Sequence, residues 1–193
     1  MELIQAAAEN PRLVDAPLDD RLAVEARTDA EAFARLYERH VERVYRYLRA
    51  RGASDDDAAE LAAVTFERAL IHIDRYRPGK SGFAGWLVGI ARNAFIDTTR
   101  RPAARSVDLT EASGLASPDG SPEDIAIAAD ERRRTMDFVA RLPDVQRDAL
   151  ALRFAAGLSS RQIAPVIGKS EAATKKLLTR SLAVLKEAMR NDA

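Results

Sequence analysis

Two stretches of the 193-residue chain carry side chains whose types and spacing suit contact with nucleic acid. Between residues 169 and 190 there are six basic residues (Lys169, Lys175, Lys176, Arg180, Lys186, Arg190) against Glu171 and Glu187. A stripe of that kind is the electrostatic footprint expected for phosphate contact. Gly168 makes a turn and Ser170 can cap the helix that follows, so Ser170, Glu171, Ala172, Lys175 and Lys176 fall in its first turns. Thr179 and Arg180 follow one turn later. A glutamate can accept from cytosine N4 and a lysine can donate to guanine O6 and N7, while small residues allow close approach. Arg180 reads as a phosphate contact, which positions without specifying. On charge alone a solvated helix face is the simpler reading. The capped turn ahead of the lysine pair shifts it to DNA. The second stretch, residues 83–101, puts Trp86 and Ile90 on a core face and Arg92, Asn93, Thr99, Arg100 and Arg101 opposite. By itself that is an amphipathic helix with a basic end complementing the dipole.

Catalytic chemistry finds little to work with. The chain has no cysteine, which excludes disulfides, thiolate metal sites and cysteine nucleophiles. The three carboxylates Asp55, Asp56 and Asp57 diverge around a helix start and lack the loop register of a calcium hand. His40 and His72 have no nucleophile or carboxylate in register and read as helix-surface or half-buried groups. Pro78-Gly79-Lys80-Ser81-Gly82 is a turn without phosphate-loop spacing. The expectation is a protein that is not an enzyme and holds no cofactor and no metal.

Helices must position these residues. Hydrophobic residues make up 47% of the chain and aromatics 6%, a balance that favours helices over a sandwich or barrel. Phe33, Leu36, Tyr37, Val41, Val44, Tyr45 and Leu48 keep the i, i+3, i+4 rhythm, with Thr28 or Asp29 as cap and Gly52 as stop. A second helix starts at Ser54 and buries Ala58, Leu61, Ala62, Thr65 and Ala69. A third runs from about Phe83 to Arg101, where Pro102 stops it, and buries Trp86, Leu87, Ile90, Ala91 and Ala94. Residues 1–28 are weakly patterned. Ser121-Pro122-Glu123-Asp124 opens a helix to about Arg141. Others span about 144–156, then Ser159 or Ser160 to Ile167, then Ser170 to about Arg190. The last buries Ala173, Leu177, Leu178, Leu182, Leu185 and Met189. Pro165 falls inside the short helix, where it loses a backbone bond and costs about 3 kcal/mol unless the helix kinks.

Between these blocks, residues 102–120 are Ala, Ser, Pro or Gly at 11 of 19 positions, a linker that cannot bury enough surface to order itself. The net charge of zero conceals segregation: −4 for residues 1–29, +3 for 30–101, −3 for 102–136 and +4 for 137–193. No run approaches 18 apolar residues, and Met-Glu-Leu-Ile has no basic n-region, so a cytoplasmic protein without membrane insertion is expected.

Trp86-Leu87-x-x-Ile90-Ala91-Arg92-Asn93-x-x-x-Asp97-x-x-Arg100-Arg101 resembles the promoter-melting segment of bacterial RNA polymerase sigma factors of the extracytoplasmic function (ECF) group, in the sigma-70 family. Phe33-x-x-Leu36-Tyr37 with Val44-Tyr45-x-Tyr47-Leu48 resembles the start of that family's region 2. Ala59 through Ala69 resembles its polymerase-docking segment. Leu142-Pro143 through Leu152-Arg153, Gly157-Leu158-Ser159 and Gln162-Ile163-Ala164 resemble its region 4.

The resemblance implies an all-α protein of two small helical domains joined by a flexible linker. Residues 1–28 form an arm, 29–101 region 2, 102–121 the linker and 122–193 region 4 with its helix-turn-helix. It implies a subunit that binds core RNA polymerase at the clamp and directs promoter-specific initiation, monomeric when free, with an anti-sigma factor as a further partner. Asp56, Asp57, Glu60, Ala63 and Phe66 would face the polymerase. The family often has Asp-Leu-Val-Gln where this chain has Glu60-Leu61-Ala62-Ala63, so one polar contact is missing. Asn93 would read an unstacked minus-10 base, with Tyr76 and Lys80 from the loop beside it and Arg92, Arg100 and Arg101 on the strand backbone. Ser170, Glu171, Ala172, Lys175, Lys176, Thr179 and Arg180 would read the minus-35 duplex. Tyr76, Phe83 and Phe95 are the aromatics available for stacking. The rivals are a stand-alone helix-turn-helix regulator and a sigma-like decoy that only binds an anti-sigma factor.

Overall fold

The computed structural model describes residues 16–100 and 135–191. Among them every regular element is helical. The linker and the start of the helix expected from Ser121 lie outside the described residues, as do Arg101 and the side chain of Arg100.

Four helices build the first domain. α1 is Ala16–Glu25, α2 Ala30–Ala50, α3 Asp55–Ile71 and α4 Gly82–Arg100. A 3-10 turn, Ile73–Arg75, follows α3. Local signals start these helices. Asp29 caps α2 by accepting from the Glu31 amide at 2.8 Å, and Ser54 caps α3 by accepting from Asp57 at 3.1 Å. The apolar stripes close on one core, with Leu36, Val44, Tyr47 and Leu48 of α2 against Ala58, Leu61 and Phe66 of α3 and Leu87, Val88, Ala91 and Ala94 of α4. Trp86 and Ile90 are half-buried at its margin.

α1 is the element that patterning missed. Only Leu22 and Ala23 are apolar and buried there, with Ala26 just past its end. Two carboxylates dock it instead. Asp20 accepts the Phe83 amide at 3.1 Å and the Tyr76 hydroxyl at 2.5 Å, so α1 caps α4 from outside. Asp19, 2% exposed, accepts from Arg39 Nε at 2.8 Å and pairs with His40 Nε2 at 3.0 Å.

His40 is fully buried, not at the surface. Its Nδ1 lies 2.6 Å from Arg43 Nη1. A guanidinium can only donate, so Nδ1 accepts, Nε2 carries the hydrogen, and the imidazole is neutral. Burial is the main force holding its pKa below the ordinary 6.5, and the charges of Arg43 and Arg39 add to it against the pull of Asp19. Asp19 is itself held below 3.8: His40 and Arg39 outweigh the cost of its burial, so it stays ionised near neutrality. As pH drops through about 6.5 the unfolded chain takes up a proton that the folded chain refuses, and stability falls. The urea midpoint should therefore be lower at pH 5.5 than at pH 7.5. His40→Gln should lower the midpoint overall but flatten that slope; an unchanged slope in this variant would place the titrating group elsewhere.

The second domain comprises helical residues 135–140, α5 (Asp144–Leu150), α6 (Ser160–Val166) and α7 (Glu171–Asn191). α5 does not run on as an α-helix to 156. It widens into a π turn, Ala151–Ala155, with Ala156 N bonded to Ala151 O at 3.0 Å, and this turn packs on α2. Gly157, at φ +67, then reverses the chain in a conformation side chains rarely adopt. Ser159 and Gln162 form a reciprocal capping box on α6. Pro165 is the sixth of seven residues, so it forfeits a single late ladder bond and α6 is unbroken around it. On α7 the buried positions are Thr174, Leu178, Ser181 and Leu185, whereas Met189 is 39% exposed rather than inward.

Candidate nucleic-acid interface

α7 presents the expected reading set outward. Ser170 Oγ accepts the Ala173 amide at 3.1 Å, and Glu171, Ala172, Lys175, Lys176, Thr179 and Arg180 are all exposed. Thr174 and Leu178, on the opposite face, are buried. Glu171 and Lys175 pair at 2.8 Å, one turn apart. Hydrogen bonding and charge from Lys175 hold the Glu171 carboxyl below its usual range, and Arg161 and Lys80 add to the effect. Lys80 comes from the first domain, so its loop contributes to the field at the start of α7.

On α4, Asn93 is exposed. Thr98 and Thr99 turn their hydroxyls back to the Phe95 and Ile96 carbonyls at 2.8 and 3.0 Å. Arg92 is not free: its Nε donates to Asp148 of α5. Tyr76 is 1% exposed, tilted against Trp86 at 5.2 Å and edge-on to Phe83 at 5.6 Å, so the expectation of a base-contacting Tyr76 gives way to a core role. Phe83 is equally buried, and Phe95 lies under the Arg51 guanidinium at 5.2 Å. Lys80 is exposed.

On α3, Asp56, Glu60 and Ala63 are exposed and Asp57 accepts from the Ser54 hydroxyl at 2.8 Å. Phe66 is 4% exposed, edge-on to Tyr37 at 4.7 Å and Phe33 at 6.5 Å. It packs the core instead of standing on the exposed face where a partner contact was expected. The face those exposed residues share runs on to Leu70 and Ile71, 51% and 65% exposed, a sizeable apolar end that the docking motif did not draw attention to.

Sequence reasoning also missed the junction between the domains. Asp148 Oδ1 accepts from the Tyr47 hydroxyl at 2.7 Å, and Arg51 Nη2 bonds Asp144 at 2.7 Å. Burial first, then the charge and hydrogen bond of Asp148, push the Tyr47 phenol pKa well up. These partners lie 101 and 93 residues apart, and no local pattern pairs them.

Two helical bundles, one ending in a helix-turn-helix with an outward basic helix and the other exposing Asn93 on α4, are the architecture of a DNA-binding protein, and among the described residues no catalytic constellation is evident. Residues 36–105 match the Sigma-70 region 2 family and residues 132–185 the Sigma-70, region 4 family. The chain is 30% identical over 193 residues to the ECF RNA polymerase sigma factor SigK of Mycolicibacterium vanbaalenii, covering 97% of this chain and 96% of that protein. It is 35% identical over 166 residues to the ECF RNA polymerase sigma factor BldN of Streptomyces coelicolor. That alignment covers 86% of this chain and 63% of BldN, so the chain spans less than two thirds of that relative. The solved structure of CnrH in complex with the cytosolic domain of CnrY shares the fold, with TM-score 0.68 and 24% identity, covering 91% of this chain and 99% of CnrH. The chain belongs to the ECF group of sigma-70 family RNA polymerase sigma factors, which is not a class of enzymes. No helix among the described residues is long and apolar enough to cross a membrane.

Proposed function

We propose that this chain binds core RNA polymerase through the outer face of α3, with Asp56, Asp57, Glu60 and Ala63, and directs initiation at promoters with two elements. Asn93 takes an unstacked base of the minus-10 element, while Lys80, Arg92, Arg100 and Arg101 hold the backbone of the separated strand. α7 reads the minus-35 duplex with Ser170, Glu171, Ala172, Lys175, Lys176, Thr179 and Arg180. The observation that carries this reading is the two-faced α7: its reading set is exposed while the opposite face is packed. No covalent step is needed. Flipping a base costs a few kcal/mol, which a shaped pocket and backbone contacts can offset.

The test is reconstitution with core polymerase. A stable complex on gel filtration and transcription from a cognate promoter are expected. Strong duplex binding by the chain alone, with no polymerase complex, would favour a stand-alone regulator. Asn93→Ala should leave the closed complex intact and lower permanganate reactivity of the minus-10 thymines at least tenfold. Glu60→Lys should instead weaken the polymerase complex itself. Equal loss of closed complex in both variants would show that the two surfaces are wrongly separated.

A further inference from the structure

Asp148 is the most heavily partnered buried acid in the described junction, and all of its partners come from the other domain. It is 0% exposed. Its Oδ1 accepts from the Tyr47 hydroxyl at 2.7 Å and lies 3.4 Å from Arg51 Nε, while its Oδ2 takes the Arg92 Nε. Arg51 also reaches Asp144 at 2.7 Å. Two guanidinium groups of the first domain thus meet two carboxylates of the second. Nearby the helices touch closely: a Cβ at Gly85 of α4 would stand 3.5 Å from the Gln162 carbonyl of α6.

We infer that Asp148 is a clasp that holds the two domains closed by occupying Arg92 in place of a nucleic-acid phosphate. A guanidinium donates to carboxylate and phosphate oxygens alike, and the Arg92 Nε held on buried Asp148 is not open to a phosphate while the domains are closed. The closed form also keeps α4 and α6 in contact. Two helical turns of DNA span about 70 Å. Domains in contact cannot sit that far apart, whereas a 19-residue linker stretches to roughly 63–68 Å, so such elements are engaged together only once the domains separate. The clasp is reversible by construction. Closure takes Asp148 and Arg51 out of water while Asp144 stays at the surface, and opening rehydrates both buried charges, so the net stabilisation is small. A partner with greater affinity for the open form can therefore shift the population. The DNA half of this inference rests on the strand-backbone reading of Arg92 given above; the closure half does not.

The chain has no cysteine, so Ala59→Cys on α3 and Ala183→Cys on α7, both exposed, give a unique pair for spin labels. Pulsed electron resonance on the full chain should show one narrow distance. Asp148→Asn keeps an acceptor for Tyr47 but leaves Arg92 without its buried counter-charge and Arg51 with Asp144 alone. It should broaden the distribution to longer distances in most molecules, and with core polymerase it should form promoter complexes at least tenfold faster than the parent. An unchanged distribution overturns the clasp. A broadened one without faster complex formation overturns the competition with DNA. If neither protein forms promoter complexes, the proposed function fails, while the distances still judge the clasp. Should Asp148→Asn not fold, Asp144→Asn, whose side chain is 58% exposed, should show the same broadening in a smaller fraction, and no broadening there overturns the clasp as well.

Discussion

Replacing both Lys175 and Lys176 by alanine should reduce affinity for minus-35 duplex by about 2–6 kcal/mol, taking about 1–3 kcal/mol for each lost contact. That corresponds to at least about a 30-fold loss. Both side chains are exposed on the first turns of α7 and project from the same helix end as Glu171. Lys175 is paired with Glu171 at 2.8 Å, but an exposed i, i+4 pair contributes little and yields readily to DNA. The substitutions leave the packed face of Thr174, Leu178, Ser181 and Leu185 untouched, so thermal stability should barely change. The two lysines can be separated by salt. A lysine on a phosphate lowers the slope of log affinity against log salt by about 0.9, whereas one on a base edge changes which sequence is preferred. Binding titrations at several ionic strengths, on cognate and scrambled duplexes, read both quantities. An affinity loss under threefold would mean that another face of the second domain meets the groove.

The helices and their ends were legible because their signals are local. Asp29, Ser54, Ser159 with Gln162, and Ser170 each bond an amide two or three residues away. The positive-φ glycines at 52, 157 and 168 stand where the stops were expected. The outward face of α7 was legible for the same reason, since cap and phase together settle which side faces water. What escaped was long-range or polar. α1 is held by Asp19 and Asp20, so an apolar-stripe search passes over it. Phe66 and Tyr76 were assigned to partners by resemblance to motifs, but a motif does not say which way a ring points. Packing decides that, and both rings turn inward. Arg92 and Asp148, 56 residues apart, each look like ordinary helix-surface charges until the domains are brought together.

Phe83→Ala should cost the first domain about 3–5 kcal/mol. That is a large part of the roughly 5–15 kcal/mol by which a domain of this kind is stable. The ring is 1% exposed and touches three others, with centroids 5.3 Å from His40, 5.6 Å from Tyr76 and 5.6 Å from Trp86. It stands where several elements meet. His40 belongs to α2, Tyr76 ends the 3-10 turn, and the Phe83 amide is the group capped by Asp20 of α1. The loop carrying Lys80 is strung between Tyr76 and Phe83, and α4, with Asn93, begins there. Losing the ring therefore loosens the start of the proposed melting helix as well as the core. Urea denaturation should show the midpoint drop, and Phe83→Leu should show a smaller one, because it restores much of the buried volume but not the edge-on ring contacts, worth about 0.5–1.5 kcal/mol beyond burial. Equal midpoints for the two variants would mean that ring geometry, and not filled volume, holds this junction. In a polymerase assay Phe83→Ala should lose open-complex formation on warming well before minus-35 binding fails, since α7 sits in the other domain. Simultaneous loss of both would show that the two domains melt as one unit.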